Sequence, residues 1–340
     1  MGPRLSVIVC TYNPDRALLA RVLGAIGAQT APRADFELLI VDNNSSEPLT
    51  TAWLEKVSGG PVSLLRETRQ GLTYARACGL AEAQAPLICF VDDDNELAAD
   101  YLTSALEIEG AEPKLGVFGG VAEGALARPV GRLKTAFLPH LGVRDMGPEP
   151  LTGAGDRWGP WEPIGAGICM RREVGEGYVR FVENHDIAGG LGRQGAALLS
   201  GEDSLISRIA HFQGYHCGYR PQLRLRHHIA ADRLTFRYMS RVLEGHGRSH
   251  VLLDRILGAS PAPLREGRAW TQVVRNFFHR LRTEGPRTAL GMFFWDRGYF
   301  AERNREAGRA LAAPLSEIVS PAVAGREQGP AARSESAALE

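Results

Sequence analysis

This 340-residue sequence lacks several features that mark whole classes of proteins. No apolar run approaches the about 18 residues that a membrane-spanning helix needs, and no basic segment with a long apolar stretch and a cleavage site opens the chain. The five cysteines show no CxxC spacing, and three of them lie in apolar stretches, as small buried thiols do. We therefore expect a cytoplasmic protein without a membrane span or a signal peptide.

Nucleotide-binding loops built on glycine are also missing. The residues TYNPD that follow the first predicted strand contain no glycine, whereas a dehydrogenase needs Gly-x-Gly-x-x-Gly at this place. A P-loop is absent, and so is the glycine-rich loop with arginine and lysine that sugar nucleotidyltransferases usually carry there. A phosphatase with an aspartyl nucleophile is disfavoured, because the acidic residues follow the second and fourth predicted strands instead of the first.

The chain has no formal net charge, since 39 basic residues balance 39 acidic ones, and this gives no argument for nucleic-acid binding. The charge is nevertheless uneven, because eighteen arginines and eight acidic residues lie between Arg220 and Arg309. Lysine is rare, with three in the chain, so part of the arginine excess reflects a GC-rich genome. The carboxyl-terminal third is basic, and the rest of the chain is correspondingly acidic.

Short apolar runs alternate with helical patterns over the first 120 residues, which is typical of a parallel sheet covered by helices. The predicted strands are 5–10, 36–41, 62–65, 87–91 and 115–119, and the predicted helices between them are 15–29, 49–57, 72–83 and 97–109. Each strand is nearly continuously apolar, as strands buried on both faces must be. The predicted fold class is α/β, with an open, mostly parallel, doubly wound sheet and helices on both faces.

The rest of the chain divides into three parts. Residues 121–200 are rich in glycine and proline and are expected to form long loops, one of them at 186–195, with a return strand at 164–171. A helix at 202–213 and a strand at 222–227 come next, followed by a helical extension over 231–312 with helices at 232–257, 268–283 and 288–308. Residues 313–340 are rich in Ala, Pro, Ser and Glu and are expected to be a disordered tail.

Polar residues follow three of the predicted strands, at the edge where ligands bind in open α/β sheets. The first strand ends in TYNP, the second in DNNS and the fourth in DDDN. By itself DNNS is explained as well by a turn with a helix cap. The three adjacent aspartates Asp92, Asp93 and Asp94 repel one another, and a divalent cation such as Mg²⁺ or Mn²⁺ that bridges carboxylates to a substrate phosphate would relieve this repulsion.

Five motifs in a fixed order resemble the family-2 glycosyltransferases, which have the GT-A fold. They are SVIVCTYN at 6–13, VDNNS at 41–45, Gly71 with Ala75 and Arg76, FVDDD at 90–94, and GED at 201–203. Each motif is short, but the ordered set is specific. The resemblance implies a GT-A catalytic domain at 1–230, with a nucleotide-binding half at 1–120 and an acceptor half at 121–230.

The resemblance also implies roles for particular residues. The nucleotide-sugar would be bound by Thr11, Tyr12, Asn13, Asp42, Gly71, Arg76, Asp92 and Asp93, and the metal ion by Asp94 and Asp92. GT-A enzymes frequently add a late histidine to the metal or diphosphate, which nominates His227, with His228 as the alternative. On the acceptor side, Gly165 and Gly167 permit close approach of a ligand, and Trp161 or Trp158 would stack on a sugar ring or serve as a buried anchor.

An acidic pair, Glu202 and Asp203, opens the helix predicted at 202–213. Compensation of the helix dipole, worth about 0.3 to 1 kcal/mol, explains such a pair without any chemistry. The resemblance instead assigns the general base to Asp203, with Glu202 in support. A carboxylate there would take the proton of an acceptor hydroxyl as it attacks the anomeric carbon, and a metal would neutralise the departing diphosphate. The resemblance implies inversion, without a covalent sugar intermediate.

The expected activity is transfer of one sugar from a UDP, GDP or dTDP donor to a saccharide or lipid-linked acceptor in surface-polysaccharide or other glycan biosynthesis. The Gln-x-x-Arg-Trp motif of processive members is absent. The alternatives are a catalytically silent protein that recruits partners for polysaccharide assembly and a sugar nucleotidyltransferase. The aromatic residues at 270, 277–278 and 293–295, flanked by arginines, would either touch the inner membrane surface or pack onto the catalytic domain. No nucleic-acid partner is expected.

Overall fold

The computed structural model describes residues 2–185, 191–193, 198–259, 262, 268–309 and 314–319. Most of the loop predicted at 186–195 and the tail beyond residue 319 therefore lie outside the described residues. The strands are β1 (Leu5–Thr11), β2 (Phe36–Asp42), β3 (Ser63–Arg66), β4 (Leu87–Asp92), β5 (Asn95–Leu97), β6 (Leu115–Leu126), β7 (Leu151–Gly153), β8 (Cys169–Arg171) and β9 (His216–Ile229). All the predicted strands are present. Three differ from the expected limits by five or more residues, because β6 ends at Leu126 instead of 119, β9 begins at His216 instead of 222, and β8 begins at Cys169 instead of 164.

Eleven α-helices occur in the described part of the chain. They are α1 (Arg16–Gly27), α2 (Thr51–Ser58), α3 (Leu72–Glu82), α4 (Tyr101–Ala111), α5 (Arg132–Thr135), α6 (Arg172–Asn184), α7 (Glu202–Phe212), α8 (Phe236–Ile256), α9 (Arg268–Thr283), α10 (Pro286–Glu306) and α11 (Leu315–Val319). Each helix predicted from periodicity is found. None of the described helices is both long and apolar enough to cross a lipid bilayer.

The nine strands form one sheet in the order β3-β2-β1-β4-β8-β6-β9-β5, with β7 paired to β9. The first four strands pair in parallel, as expected. In the other half, β8 is antiparallel to β4 and β6, and β6 is parallel to β9, so this half is mixed. The prediction of an open α/β sheet is confirmed, and the parallel arrangement is concentrated in its amino-terminal half.

Both faces of the central strand β1 are buried, which explains its uninterrupted apolar sequence. Val7 and Val9 belong to the hydrophobic core beneath α1 and α4, while Ile8 points to the opposite core beneath α3, α6 and α7. All three side chains have no exposed surface. This alternation is what a parallel strand between two helical layers requires.

Helix α6 lies within residues 121–200, where the sequence predicts loops and one strand. Two glycines obscure its helical pattern, Gly175 and Gly177. A Cβ atom at Gly175 would lie 2.7 Å from Leu80 of α3, and one at Gly177 would lie 2.7 Å from Ile209 of α7. The glycines therefore permit α6 to pack closely against its two neighbours, a tertiary requirement that periodicity does not reveal.

The helical extension packs on the part of the protein formed by residues 2–230 through α8 and α10. These helices approach closely at two glycines, since a Cβ atom at Gly247 would lie 2.0 Å from the Trp295 carbonyl oxygen and one at Gly298 would meet the Glu244 carbonyl oxygen. The short helix α11 falls inside the range 313–340 that was predicted to be disordered. Its Leu315 and Val319 are buried in the core beside α6, so this helix is packed against the rest of the protein.

Candidate active site

A cavity of about 410 Å³ lies at the carboxyl edge of β1, β2 and β4, where the three polar strand ends meet. Eleven of the predicted site residues line it: Thr11, Tyr12, Gly71, Arg76, Asp92, Asp93, Asp94, Gly165, Glu202, Asp203 and His227. Four predicted residues do not line it: Asn13, Asp42, Trp161 and Gly167. The carboxylates of β4 and of α7 thus share one cavity although they lie more than a hundred residues apart.

The end of β2 forms a turn that supports the cavity from behind. Asp42 is buried and its Oδ1 accepts a hydrogen bond from the Ser45 backbone N–H at 2.9 Å, so its carboxylate stabilises the turn. Its neighbour Asn43 lines the cavity, donates to the Arg69 carbonyl oxygen at 2.7 Å and accepts from the Gly71 N–H at 2.8 Å. Asn43 therefore holds the loop that precedes α3 against the strand end.

Asn13 links the ends of β1 and β2. It has a positive φ of 47°, and its side-chain oxygen accepts from the backbone N–H and the hydroxyl of Ser46, both at 2.9 Å. Tyr12, by contrast, lines the cavity and is half exposed. Of the two residues, Tyr12 is the one available to stack on a bound ring.

The three aspartates after β4 have different partners. Thr11 donates its hydroxyl to Asp93 Oδ2 at 2.5 Å. Burial and the neighbouring carboxylates raise the pKa of Asp93 to about 7, although the Thr11 hydrogen bond opposes this shift. For Asp94, burial alone would raise the pKa, but the hydrogen bond from His227 and the charge of Arg233 hold it well below its usual range. The pKa values of these two adjacent aspartates are thus shifted in opposite directions.

Arg76 connects the β4 carboxylates to α7. Its guanidinium is buried, with Nη2 at 3.5 Å from Asp92 Oδ1 and Nη1 at 3.8 Å from Glu202 Oε2. Tyr178 of α6 donates its hydroxyl to Glu202, which is 4% exposed. The carboxylate of Glu202 is therefore engaged by an arginine and a tyrosine, as a buried charge requires.

Asp203 has a different environment from Glu202. Its carboxylate lines the cavity and accepts hydrogen bonds from two backbone groups, the Gly165 N–H at 3.3 Å and the Ser204 N–H at 2.8 Å. Among the described residues no arginine, lysine or histidine forms an ion pair with it. This leaves Asp203 as a half-buried carboxylate that can receive a proton from a group in the cavity.

Glu162, which is not among the predicted site residues, contacts the first two turns of α7 next to Asp203. It is 2% exposed and accepts from the Ser204 hydroxyl at 2.5 Å and from Arg208 Nη1 at 2.6 Å. Burial raises the pKa of Glu162 to about 7, against the opposing effects of Arg208 and Ser204. These contacts anchor the first turn of α7 and hence the backbone that carries Asp203. An isolated Glu in a loop offered no signal of this role.

The segment predicted to face the acceptor is divided between cavity and core. Gly165 lines the cavity, and a Cβ atom there would lie 3.1 Å from Arg76 Nη2. Gly167 has a positive φ of 68°, and its carbonyl oxygen accepts from the buried Tyr101 hydroxyl at 2.5 Å. Trp161 packs on Gly153 and Gly159 at the margin of the core. Gly165 is therefore the member of this set that reaches the cavity.

His227 and His228 point to opposite sides of β9. His227 lines the cavity, with its Nε2 3.4 Å from Asp94 Oδ2. The His228 Nε2 lies 2.9 Å from Glu96 Oε2, and the side chain does not line the cavity. The geometry thus favours His227, the first choice of the two, as the histidine that faces the aspartates.

Four basic residues that line the cavity were not among the predicted site residues. Arg233 donates to Asp94 Oδ2 at 2.6 Å and lies 3.2 Å from the Tyr238 hydroxyl oxygen. His140, His246 and Arg193 line another side of the same cavity, and the rings of His140 and His246 are 5.5 Å apart. Burial, together with the nearby His140 and Arg193, lowers the pKa of His246 to about 3. These residues come from separate loops and helices, so nothing in the sequence indicates that they meet at one cavity.

The residues present fit a divalent cation that enters with a phosphorylated substrate. Asp92 and Asp94 offer carboxylate oxygens, the ligands that suit Mg²⁺ or Mn²⁺, and the imidazole of His227 lines the same cavity. In the described part of the chain no three His, Cys, Asp or Glu residues are arranged to hold a metal by themselves. Such sites commonly use one or two carboxylates, with substrate phosphates and water completing the coordination.

A family model described as glycosyl transferase family 2 matches residues 6–176, half of the chain. The chain belongs to glycosyl transferase family 2. The matched range contains β1, β2, β4 and the aspartates Asp92 to Asp94, so the family accounts for the strand ends that form the cavity. Asp203 and His227 lie beyond residue 176, outside the family match. They line the same cavity as Asp92 to Asp94, which lie within it.

Curated relatives of this family-2 chain match over part of their length. This chain is 31% identical over 156 residues to validoxylamine A glucosyltransferase of Streptomyces hygroscopicus subsp. limoneus. The alignment covers 44% of this chain and 34% of the relative. This chain is also 28% identical over 108 residues to the succinoglycan biosynthesis protein ExoW of Rhizobium meliloti strain 1021. That alignment covers 31% of this chain and 33% of the relative. The aligned segments span about a third of the length of these relatives.

One solved structure, S. aureus TarS 1–349, has a similar fold. The superposition covers 90% of this chain and 93% of that one, with a TM-score of 0.50 and 16% sequence identity. At this identity the likeness concerns the fold alone. Because it covers 90% of this chain, it extends past the family-2 match, which ends at residue 176.

Proposed function

We propose that this chain transfers a single sugar from a nucleotide-sugar to a hydroxyl group of a saccharide or lipid-linked acceptor, with inversion at the anomeric carbon. The observation that supports this best is the shared cavity of Asp203 and the β4 aspartates. A single displacement needs one base for the acceptor and positive charge for the diphosphate, and both are available there. The names of the relatives, a glucosyltransferase and a succinoglycan biosynthesis protein, support a sugar as the transferred group.

In this proposal the donor occupies the side of the cavity formed by β1 and β4. Tyr12 stacks on the base, Asn43 fixes the adjoining loop, and Asp92 and Asp93 face the ribose and diphosphate. Asp94, Asp92 and His227 would hold Mg²⁺ or Mn²⁺, which when bound neutralises charge on the departing diphosphate. Arg233 adds a fixed positive charge beside Asp94.

The acceptor hydroxyl is placed beside Asp203. Its oxygen forms the new bond to the anomeric carbon while the bond from that carbon to the diphosphate oxygen breaks. The hydroxyl proton moves to the Asp203 carboxylate, which is held by backbone N–H groups and has no competing ion pair among the described residues. Gly165 leaves room for the acceptor at this point, since it has no side chain between Asp203 and Arg76.

The biological setting follows from the acceptor. We place the reaction in cell-surface polysaccharide or related glycan biosynthesis, on the cytoplasmic side of the inner membrane. A lipid-linked acceptor would bring the enzyme into peripheral contact with that membrane. The donor nucleotide is UDP, GDP or dTDP, and binding experiments decide among them.

The first experiment measures calorimetric binding of UDP, GDP and dTDP in the presence of Mn²⁺ and then of EDTA. One nucleotide should bind with Mn²⁺ and lose most of its affinity in EDTA. Asp94→Asn should weaken metal-dependent binding by more than the about 10- to 100-fold that is typical for outer-shell partners of a metal. The exposed Asp100→Asn serves as the matched control and should bind as the parent does.

Two outcomes would contradict the proposal. Equal binding in Mn²⁺ and EDTA, unaffected by Asp94→Asn, removes the metal from the site. Absence of nucleotide binding together with no hydrolysis or transfer from any of the corresponding sugar donors favours the silent, partner-recruiting protein instead.

A further inference from the structure

We propose that the outward face of α9 binds the surface of an anionic lipid bilayer. The surface consists of an apolar stripe, formed by Trp270, Val274, Phe277, Phe278 and Leu281, and an arginine row, formed by Arg268, Arg275 and Arg282. Its relevance to a lipid-linked acceptor rests on the proposed sugar transfer. The binding itself rests on α9 alone and can be tested without any turnover.

The inner face of α9 is fixed to α10 and is separate from this surface. Val273 is 2% exposed, and Asn276 and Arg280 both donate to the buried Asp296 of α10, at 3.0 and 2.6 Å. These contacts set the rotation of α9 about its own axis. The side chains on the opposite side of α9 from Val273, Asn276 and Arg280 consequently point away from the body of the protein.

The apolar stripe is largely uncovered. Trp270 is 57% exposed, Phe278 54% and Leu281 37%, although Trp270 and Phe277 each touch the ring of Phe293 edge-on. Positions 270, 274, 277 and 281 are spaced by four, three and four residues, so they share one side of the helix. Three large apolar side chains exposed together on one helix indicate a binding surface more strongly than single exposed residues do.

The arginine row lies along the edge of the apolar stripe. Arg268, Arg275 and Arg282 are seven residues apart, so they drift by only about 20° per step around the helix. All three are exposed, and none forms an ion pair with the described residues. Helix α9 contains no acidic residue at all. The row is therefore a line of uncompensated positive charge beside exposed aromatic groups.

An anionic bilayer satisfies both parts of this surface at once. Trp, Phe and Leu side chains enter the boundary between headgroups and acyl chains, while arginines at the edge reach the lipid phosphates. Each arginine near an anionic surface contributes roughly 1 kcal/mol, and the attraction falls within a Debye length. A second copy of this chain is a poorer occupant, because a two-fold contact through α9 would bring two arginine rows together.

The test is co-sedimentation of the full chain with vesicles of phosphatidylcholine alone and with vesicles containing an equal share of phosphatidylglycerol, at low salt. We expect binding to the anionic vesicles only, and loss of binding as salt is raised. Charge reversal of the arginine row, R268E with R275E and R282E, should lower the apparent vesicle affinity by at least about tenfold. Replacing Trp270, Phe278 and Leu281 by serine should lower it as well.

A matched control reverses three exposed cations away from α9. Arg4, Lys56 and Lys114 lie on the catalytic body, and changing them to Glu alters net charge by the same amount. This variant should keep most of its vesicle binding. Nucleotide binding and thermal unfolding should be unchanged in the α9 variants, which shows that they are folded and that the donor site is intact.

Three results would overturn the proposal. The first is vesicle binding that is equally strong with phosphatidylcholine alone. The second is an arginine-row variant that sediments with anionic vesicles as the parent does. The third is a dimer in sedimentation velocity that the α9 variants dissociate, which would assign the surface to a second copy of the chain. None of these results bears on sugar transfer, which the nucleotide experiment tests separately.

Discussion

Two pairs of neighbouring acidic residues line one cavity, and within each pair the two carboxylates have different partners. In the β4 pair, Asp94 is paired with Arg233 and His227 while Asp93 accepts the Thr11 hydroxyl. In the α7 pair, Glu202 is buried against Arg76 and Tyr178 while Asp203 contacts backbone N–H groups. Adjacent acidic residues are therefore given separate functions by what surrounds them.

The two carboxylates of the α7 pair differ in their partners, and we expect them to differ in role. The negative charge of a carboxylate beside a buried arginine is neutralised by that arginine. Removing the carboxylate deprives the buried arginine of a partner. A carboxylate held by amide dipoles keeps its charge available to a substrate proton. Asp203 is accordingly the catalytic candidate, and Glu202 fixes the position of Arg76 and of α7.

The largest expected effect tests this division at Asp203. Asp203→Asn retains the size of the side chain and one of the two oxygens that accept backbone N–H groups, but it cannot accept the hydroxyl proton, so turnover should fall by about 10² to 10⁴. Donor affinity should stay nearly unchanged, because Asp203 lies on the acceptor side of the proposal. Single-turnover kinetics with the nucleotide-sugar that binds, together with calorimetry of the nucleotide, check both statements. Full turnover in this variant would remove Asp203 from the mechanism.

Glu202 should give the opposite result, a loss of stability. Glu202→Gln leaves Arg76 buried with Asp92 as its remaining carboxylate, at a distance of 3.5 Å. The free energy of unfolding should fall by about 2 to 4 kcal/mol, as for other broken buried pairs. Urea denaturation measures this, with Asp203→Asn as the reference, for which a change below about 1 kcal/mol is expected. Equal loss in the two variants would erase the distinction between the two carboxylates.

The fold was predictable where one physical requirement governs a segment. Strands β1, β2 and β4 are buried on both faces, so their continuous apolar runs identify them directly. Helix α6 failed this test because Gly175 and Gly177 serve its packing against α3 and α7, and that packing is known only from the tertiary structure. The predicted tail failed at α11 for the same reason, since Leu315 and Val319 are buried by residues far away in the chain.

The site was predictable where strand ends carry it. Asp92 ends β4, and Asp93 and Asp94 follow it, at the edge where ligands bind in open α/β sheets, so the strand pattern and the motif order predict their position. Arg233 and Glu162 were not predictable, because each acts through a partner distant in sequence, Asp94 and Ser204 respectively. Asp42 is a different case, a motif residue that does not line the cavity and whose Oδ1 accepts a hydrogen bond within its own turn.

The smallest expected effect concerns the pH dependence of stability and comes from Glu162, the carboxylate behind Asp203. Burial raises the pKa of Glu162 from 4.5 in the unfolded chain to about 7, so between these pH values the folded protein binds more protons than the unfolded one. Its contribution to stability therefore decreases as pH rises from about 4.5 to about 7, by roughly 1 to 3 kcal/mol.

Glu162→Gln should remove this decrease, because the amide does not titrate. Urea unfolding between pH 4.5 and 8 gives the two curves, and the half-exposed Glu123→Gln is the control that should follow the parent. Asp93, whose pKa burial also raises to about 7, adds a slope of the same sign and remains in every variant, so the difference between curves isolates Glu162. Parallel curves for the parent and Glu162→Gln would mean that Glu162 is ionised across this range, paired with Arg208, and that the first turn of α7 is held by an ion pair.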